Sequence, residues 1–299
     1  MKQMNGSILI PQKGGLGARH LSSALEREGG RPPRLYFLNK VPAHSLYNEA
    51  ELAAIKAAIY KDDWIGISVA AIGMERTRQL MRLFKTTPEL AEKPVLVGGV
   101  QAFASPRLFY EMGADAVCHQ EGEIWLPEAI RMLEAGQKIP VGFETDTPKH
   151  DLIQPPDYDF TKGTHFVLKN GAIQRIDRAE DEFAAIANFS ISGPQYPLWL
   201  FTDRRCRFNC TYCVNHKLKT FDKTHGGPPG RLTTPKLLEQ VREMVTRYPM
   251  LDYVVFFDDD FLARFYDLLN RRKIVACKIE ITPFAHEGIL HIDHDHRSL

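Results

Sequence analysis

Trp64-Ile65-Gly66-Ile67-Ser68-Val69 decides the fold of the first half of this chain. The run is short, apolar and rich in β-branched residues, so it reads as a buried strand. Glu75 to Phe84 follows with helical spacing, and Pro94-Val95-Leu96-Val97 then begins a second strand that ends in Gly98-Gly99. Upstream, Ser7 to Ile10 and Arg34 to Leu38 repeat the strand pattern. Between them, a helical stretch from Ala18 to Glu28 is closed by Gly29-Gly30, a C-cap signal. Asn48, with Glu51 three residues on, reads as an N-cap for a helix that places Leu52, Ile55 and Ile59 on one face. Downstream, a helix near Pro106–Glu111, a strand at Ala114–Cys118 and a helix from Ile124 to Ala135 complete the series. Strands alternating with helices predict an α/β domain over residues 1–136, a doubly wound parallel sheet of Rossmann-like type. Ligands of such sheets bind beyond the carboxyl ends of the strands, at a switch point. Gly14, Gly15, Gly17, Gly98 and Gly99 fall in turns at that edge, where they would let backbone approach a ligand or simply make tight turns. No GxGxxG follows the first strand, so a dinucleotide site is not indicated.

Residues 137–195 read as a linker. They carry scattered prolines and weak periodicity, with a hairpin over Gly163–Ile176 turning at Asn170-Gly171. Leu198 to Arg205 then reads as a strand running into Cys206-Arg207-Phe208-Asn209-Cys210-Thr211-Tyr212-Cys213. One loop of that spacing can aim three thiolates at a common centre. Thiolates suit iron–sulfur clusters, Zn or Cu(I). A [4Fe–4S] cluster usually takes four cysteines, so three would leave one iron open. The alternatives are a Zn site completed by His216 and chance spacing. Asn215–Lys219 and Lys223–Arg231 are basic and read as a loop, either a mobile one near anionic groups or a solvated surface segment. Thr234-Pro235 starts a helix with Leu237, Leu238, Val241, Met244, Val245 and Tyr248 on its inner face. Asp252 to Phe257 is a buried-strand run that ends in Asp258-Asp259-Asp260-Phe261. Three carboxylates at a strand end repel one another unless a cation is near, unless they form only a solvated acidic turn before a helix from Phe261.

Composition bounds the rest. The chain has 299 residues, 44% hydrophobic and 25% charged, enough for two domains with sizeable cores. A formal net charge of +1 gives no argument for nucleic acid or membrane partners. The opening apolar run is too short for a signal peptide, and no run suggests a membrane span. Five cysteines, three of them clustered, argue against a disulfide framework and for a reducing, cytoplasmic setting.

CxxxCxxC with Tyr212 before the third cysteine resembles the cluster loop of the radical SAM enzymes, and the strand leading into it is similar too. The resemblance implies that Cys206, Cys210 and Cys213 hold a [4Fe–4S] cluster. Its open iron would bind S-adenosylmethionine, cleaved by one electron from an external donor to a 5′-deoxyadenosyl radical. Tyr212 would then pack toward the adenine. Phe256, Asp258, Asp259 and Phe261 match a Phe-x-Asp-Asp-x-Phe pattern of the corrinoid branch, so Asp258 or Asp259 would hold the cofactor's amino group. Residues 196–299 would be the front of an incomplete (βα) barrel.

Residues 5–136 resemble the cobalamin-binding domain that precedes the barrel in that branch. The matching text is Gly15-Leu16, Val97-Gly98-Gly99-Val100, and Gly113-Ala114-Asp115-Ala116-Val117-Cys118-His119-Gln120-Glu121-Gly122-Glu123. Gln120 replaces the first glycine of the usual GEGE, and Glu121 and Glu123 are alternatively helix-capping acids. No Asp-x-His-x-x-Gly is present, which implies cobalamin bound without a histidine below the cobalt; His20, His44 and His119 then read as surface or loop residues. The resemblance implies a radical SAM enzyme acting on a small molecule, with a lean toward methyl transfer to an unactivated carbon. The alternatives are a catalytically incomplete corrinoid- or cluster-binding protein and a Zn-stabilised nucleotide-binding module. The catalytic residues and the substrate are not legible. Only about two and a half βα units fit between Cys213 and Leu299, so the chain is expected to be a fragment, a frameshifted reading or one piece of a split enzyme with a partner chain. The tail, with His286, His291, Asp293, His294, Asp295 and His296, reads as an altered terminus or a metal-binding tract.

Overall fold

A computed structural model describes residues 3–40, 42–148, 153–181, 196–206, 208–227, 232–256, 258, 279–281 and 288–291. The chain divides into two compact units, one of Met1–Pro148 with Ile153–Asp177 and one of Lys149–Leu152 with Arg178–Leu299.

The first unit is α/β. Its elements run β1 (Gly6–Ile10), α1 (Leu16–Arg27), β2 (Arg34–Phe37), α2 (Glu49–Ile59), β3 (Trp64–Ser68), α3 (Met74–Thr86), α4 (Pro88–Ala91), β4 (Val95–Gly98), α5 (Val100–Ala104), α6 (Pro106–Glu111), β5 (Ala116–Val117) and α7 (Gly122–Glu134). A hairpin of β6 (His165–Lys169) and β7 (Ala172–Arg175) follows. The seven strands lie in the order β5-β4-β3-β1-β2-β6-β7. All neighbours are parallel except β6 and β7. The β5-β4-β3-β1-β2 part is the flavodoxin-like order of a doubly wound sheet.

Side-chain alternation sets the two faces. Leu9, Tyr36, Ile65, Ile67, Val95 and Val97 pack in one core with Ile55 and Ile59 of α2 and Leu80, Met81 and Phe84 of α3. Helices α1 and α7 pack against each other. Asn48 closes a full capping box with Glu51, as read from the sequence. The short helices α4 and α5 were not anticipated.

The first unit is longer than the 1–136 read from the sequence. The hairpin does turn at Asn170-Gly171, with Asn170 at φ 53° and Gly171 at φ 77°. It is not linker, however: β6 pairs with β2, aligning Leu35 with His165 and Phe37 with Val167. Without it β2 would be an edge with unpaired backbone groups. His165 is buried and its Nε2 bonds the Asp157 carbonyl, 3.1 Å away, fixing the hairpin's root.

The second unit holds β8 (Pro197–Leu200), α8 (Asn215–Thr224), α9 (Thr234–Arg247), β9 (Tyr253–Phe256), β10 (Ile279–Ile281) and β11 (Gly288–His291). Strands β8 and β9 are parallel and buried throughout, as continuous apolar runs require. Leu237 and Val241 of α9 are buried with them in this unit's apolar interior. The next pairings are antiparallel: β11 runs against β9, and β10 against β11. Among the described residues the strand order is β10-β11-β9-β8. Among the described residues there is therefore one parallel βαβ unit extended by antiparallel strands, and no closed barrel. The basic stretch after Cys213, read as loop, is helical over Asn215–Thr224, with Asn215 and Asp222 buried.

Candidate functional site

The carboxyl edge of the first sheet carries the predicted glycine turns. The chain leaves β1 for β2 on one side and reaches β3 on the other, so the switch point lies between β1 and β3. Gly14 and Gly15 have φ of 107° and 98°, and Gly99 has φ of 98°. A Cβ on Gly15 would fall 2.8 Å from Cε1 of Phe37, and one on Gly99 would fall 2.6 Å from the Val69 carbonyl oxygen. A Cβ on Gly122 would meet Leu21 at 2.7 Å, whereas one on Gly98 would find ordinary contact with Cys118 at 3.6 Å. At Gly15 and Gly99 the positive φ and the close contact together call for glycine, whereas at Gly122 the contact is only with the end of the Leu21 side chain. Glu121 stands at the N-cap of α7 without a capping bond from its side chain.

Two side chains that sequence reasoning passed over tie this edge together. Gln12 donates to the Ser68 carbonyl at 2.8 Å and accepts from the Ala70 amide at 3.3 Å, joining the turns after β1 and β3. Arg76 of α3, buried, donates to the carbonyls of Pro11, Ala43 and Ser45. Neither stands in a motif, and their partners are distant in sequence. Ile72, in the turn after β3, and Val100, the first residue of α5, are 62% and 47% exposed, so apolar surface faces outward at this edge. His119 is engaged by Glu144, Nε2 to Oε1 at 2.7 Å. His20 is buried in α1 rather than at the surface, its Nδ1 2.7 Å from the Gln154 carbonyl oxygen. Cys118 is also buried, which pushes its thiol up to about 12 and keeps it protonated and inert.

In the second unit the cysteine loop leaves the carboxyl end of β8 and enters α8. Cys206 and Cys213 are half-buried, Cys210 is exposed, and none of the three is in a disulfide. The Cys213 amide donates to the Cys210 carbonyl at 3.1 Å, and Asn215 Nδ2 approaches Cys213 Sγ at 3.7 Å. Lys219 of α8 donates to the Phe208 carbonyl at 2.6 Å and to Asn209 Oδ1 at 2.9 Å, holding the loop's middle. Arg205 makes a two-pronged, buried ion pair with Asp222 at 2.6 and 2.8 Å, fastening the loop's start to the same helix. Tyr212 is 91% exposed, and a hydrogen bond with Cys210 holds its phenol above the usual range.

Asp258 lies beneath the loop. Its carboxylate accepts from the Thr202 amide at 2.6 Å, from the Thr202 hydroxyl, and from the Asp203 amide at 2.9 Å. The end of β9 is thereby pinned to the end of β8, and most of the acceptor capacity of Asp258 is used within the chain. Asp259, Asp260 and Phe261 lie outside the described residues, as do Arg207 and the His/Asp tail after His291. Among the described residues, no group of three His, Cys, Asp or Glu side chains is gathered for a metal ion, with or without His216. The three thiols share one loop and offer the donor chemistry of a cluster, but they have not converged.

No family model and no curated protein matches this chain. No helix among the described residues is long and apolar enough to cross a membrane.

Burial pushes the Asp258 carboxyl up to about 6, against hydrogen bonds from Thr202 and Asp203 that lower it. Because the folded value exceeds the unfolded one, its contribution to stability is full below about pH 4 and is lost as pH rises through about 6. In urea titrations, wild type is expected to lose up to about 3 kcal/mol across that window relative to Asp258→Asn. Parallel pH profiles for the two proteins would contradict this.

Proposed function

We propose that this chain is a corrinoid-type radical SAM protein. Three cysteines at CxxxCxxC spacing, none in a disulfide and all on one loop at the carboxyl end of a parallel strand, carry the reading. Cys206, Cys210 and Cys213 would hold a [4Fe–4S] cluster, with S-adenosylmethionine at its open iron and Tyr212, Asp258 and Asp259 nearby. Bound there, the cluster would supply the electron that breaks the cofactor's sulfonium bond, with methyl transfer to a small molecule as the favoured outcome.

The chain's own residues would order the loop. Lys219 and the Arg205–Asp222 pair fix it to α8, and Asp258 fixes its base to β9. In the first unit, the turns bearing Gly15, Gly98, Gly99, Glu121 and Gly122 lie at the edge where a doubly wound sheet takes ligands. Ile72 and Val100 there offer apolar surface suited to the broad face of a corrin, and His119 is committed to Glu144.

The test is anaerobic reconstitution with iron and sulfide, read by visible absorption and iron content and followed by assay for 5′-deoxyadenosine. Wild type is expected to bind about four irons with matching acid-labile sulfide. Replacing Cys206, Cys210 and Cys213 together by Ala should abolish loading. Retention of iron by that variant, or zinc without sulfide in wild type, would overturn the reading. A loaded protein that forms no 5′-deoxyadenosine would be a cluster-binding protein without turnover.

A further inference from the structure

At the opposite, amino edge of the first sheet lies a cavity of about 390 Å³. Asn5, Gly6, Arg31, Pro32, Arg34, Lys61, Lys162, Gly163 and Thr164 line it. These residues belong to the starts of β1, β2 and β6 and to the turn before β3, four strands that lie side by side. Four of the nine lining residues are cationic and none is acidic, in a chain whose net charge is only +1.

Two of the cations are neutralised from outside the lining. Arg34 pairs with the buried Asp62. Lys162 pairs with Glu26 at 2.6 Å and Asp157 at 3.6 Å. Arg31 and Lys61 have no acidic partner among the described residues. Lys61 instead sits over the Tyr60 ring, 5.4 Å from its centroid. The indole of Trp64 packs on Gly6, and its Nε1–H is buried without a hydrogen-bond partner among the described residues. Like charges gathered around one concavity raise one another's energy, and an anion relieves this. The volume suits a small molecule rather than a polymer. A guanidinium fork beside an ammonium group suits tetrahedral phosphate oxygens.

We propose that this cavity binds a small phosphate-bearing anion, with Arg31 and Lys61 supplying the uncompensated charge and Arg34 and Lys162 holding the frame. The site lies at the other end of the strands from the corrin-binding edge proposed above and does not depend on it.

Calorimetric titration of the full chain with pyrophosphate at low ionic strength tests this. One saturable site is expected, with at least tenfold weaker binding in R31Q/K61Q and unchanged binding in K169Q, which alters an exposed lysine outside the lining. Both replaced residues are exposed and lack ion-pair partners among the described residues, so circular dichroism should show an intact fold. Should the double variant not fold, R31Q and K61Q measured singly carry the same expectation at threefold or more each. Absence of saturable heat, equal binding by the variants and wild type, or tighter binding of citrate than of pyrophosphate would each overturn the assignment.

Discussion

Arg205→Ala is expected to destabilise the second unit by about 3–5 kcal/mol, because it leaves Asp222 buried and charged with no guanidinium beside it. The pair is bidentate and its two side chains are 10% and 4% exposed, so water cannot take the arginine's place. The loss should appear in urea denaturation followed by tryptophan fluorescence, to which Trp199 contributes from this unit. Iron loading should fall with it, since Cys206 is the next residue in the chain. Arg205→Ala combined with Asp222→Leu should recover most of the stability, because it removes both charges and refills the space. A single variant within 1 kcal/mol of wild type would mean that the pair is solvated and does not fix the loop.

Gly99→Ala should cost the first unit about 3 kcal/mol or more. Gly99 sits at φ 98° and ψ 173°, a region that essentially only glycine occupies. The added methyl would also meet the Val69 carbonyl oxygen at 2.6 Å and the Val69 nitrogen at 2.8 Å. These are backbone atoms, and they cannot turn aside. They also take part in the bonds from the Val69 amide to the Gly98 carbonyl and from the Gln101 amide to the Val69 carbonyl. The methyl would therefore push apart the ends of β3 and β4. Gly98→Ala, with only a 3.6 Å contact, is the internal control and should cost far less. Equal midpoints in thermal unfolding for the two variants would defeat the steric account.

These contrasts show what the sequence could and could not tell. The strands of the first sheet were legible because a buried parallel strand is a continuous apolar run, and the Asn48 cap because its partner is three residues away. The role of the hairpin was not legible: β6 joins β2 across more than a hundred residues, and nothing local in His165–Lys169 names its neighbour. The helix at Asn215–Thr224 was masked by its lysines, which read as solvated loop although two of its polar residues, Asn215 and Asp222, are buried. Asp258 stood out as an acid at a strand end. Its partners, Thr202 and Asp203, lie on another strand's exit, so its anchoring role required the fold. Gly15 and Gly99 were legible as special positions, but the neighbours that make them so are Phe37 and Val69.

The late arrival of β6 has a consequence for biosynthesis. On the ribosome, β2 emerges early, while the strand that shields its outer flank follows more than a hundred residues later. At roughly 5–20 residues per second, that flank stays open on the nascent chain for about ten seconds. Throughout that interval it is a template for any extended segment nearby, so this protein is poised to need chaperone cover while it is still being made.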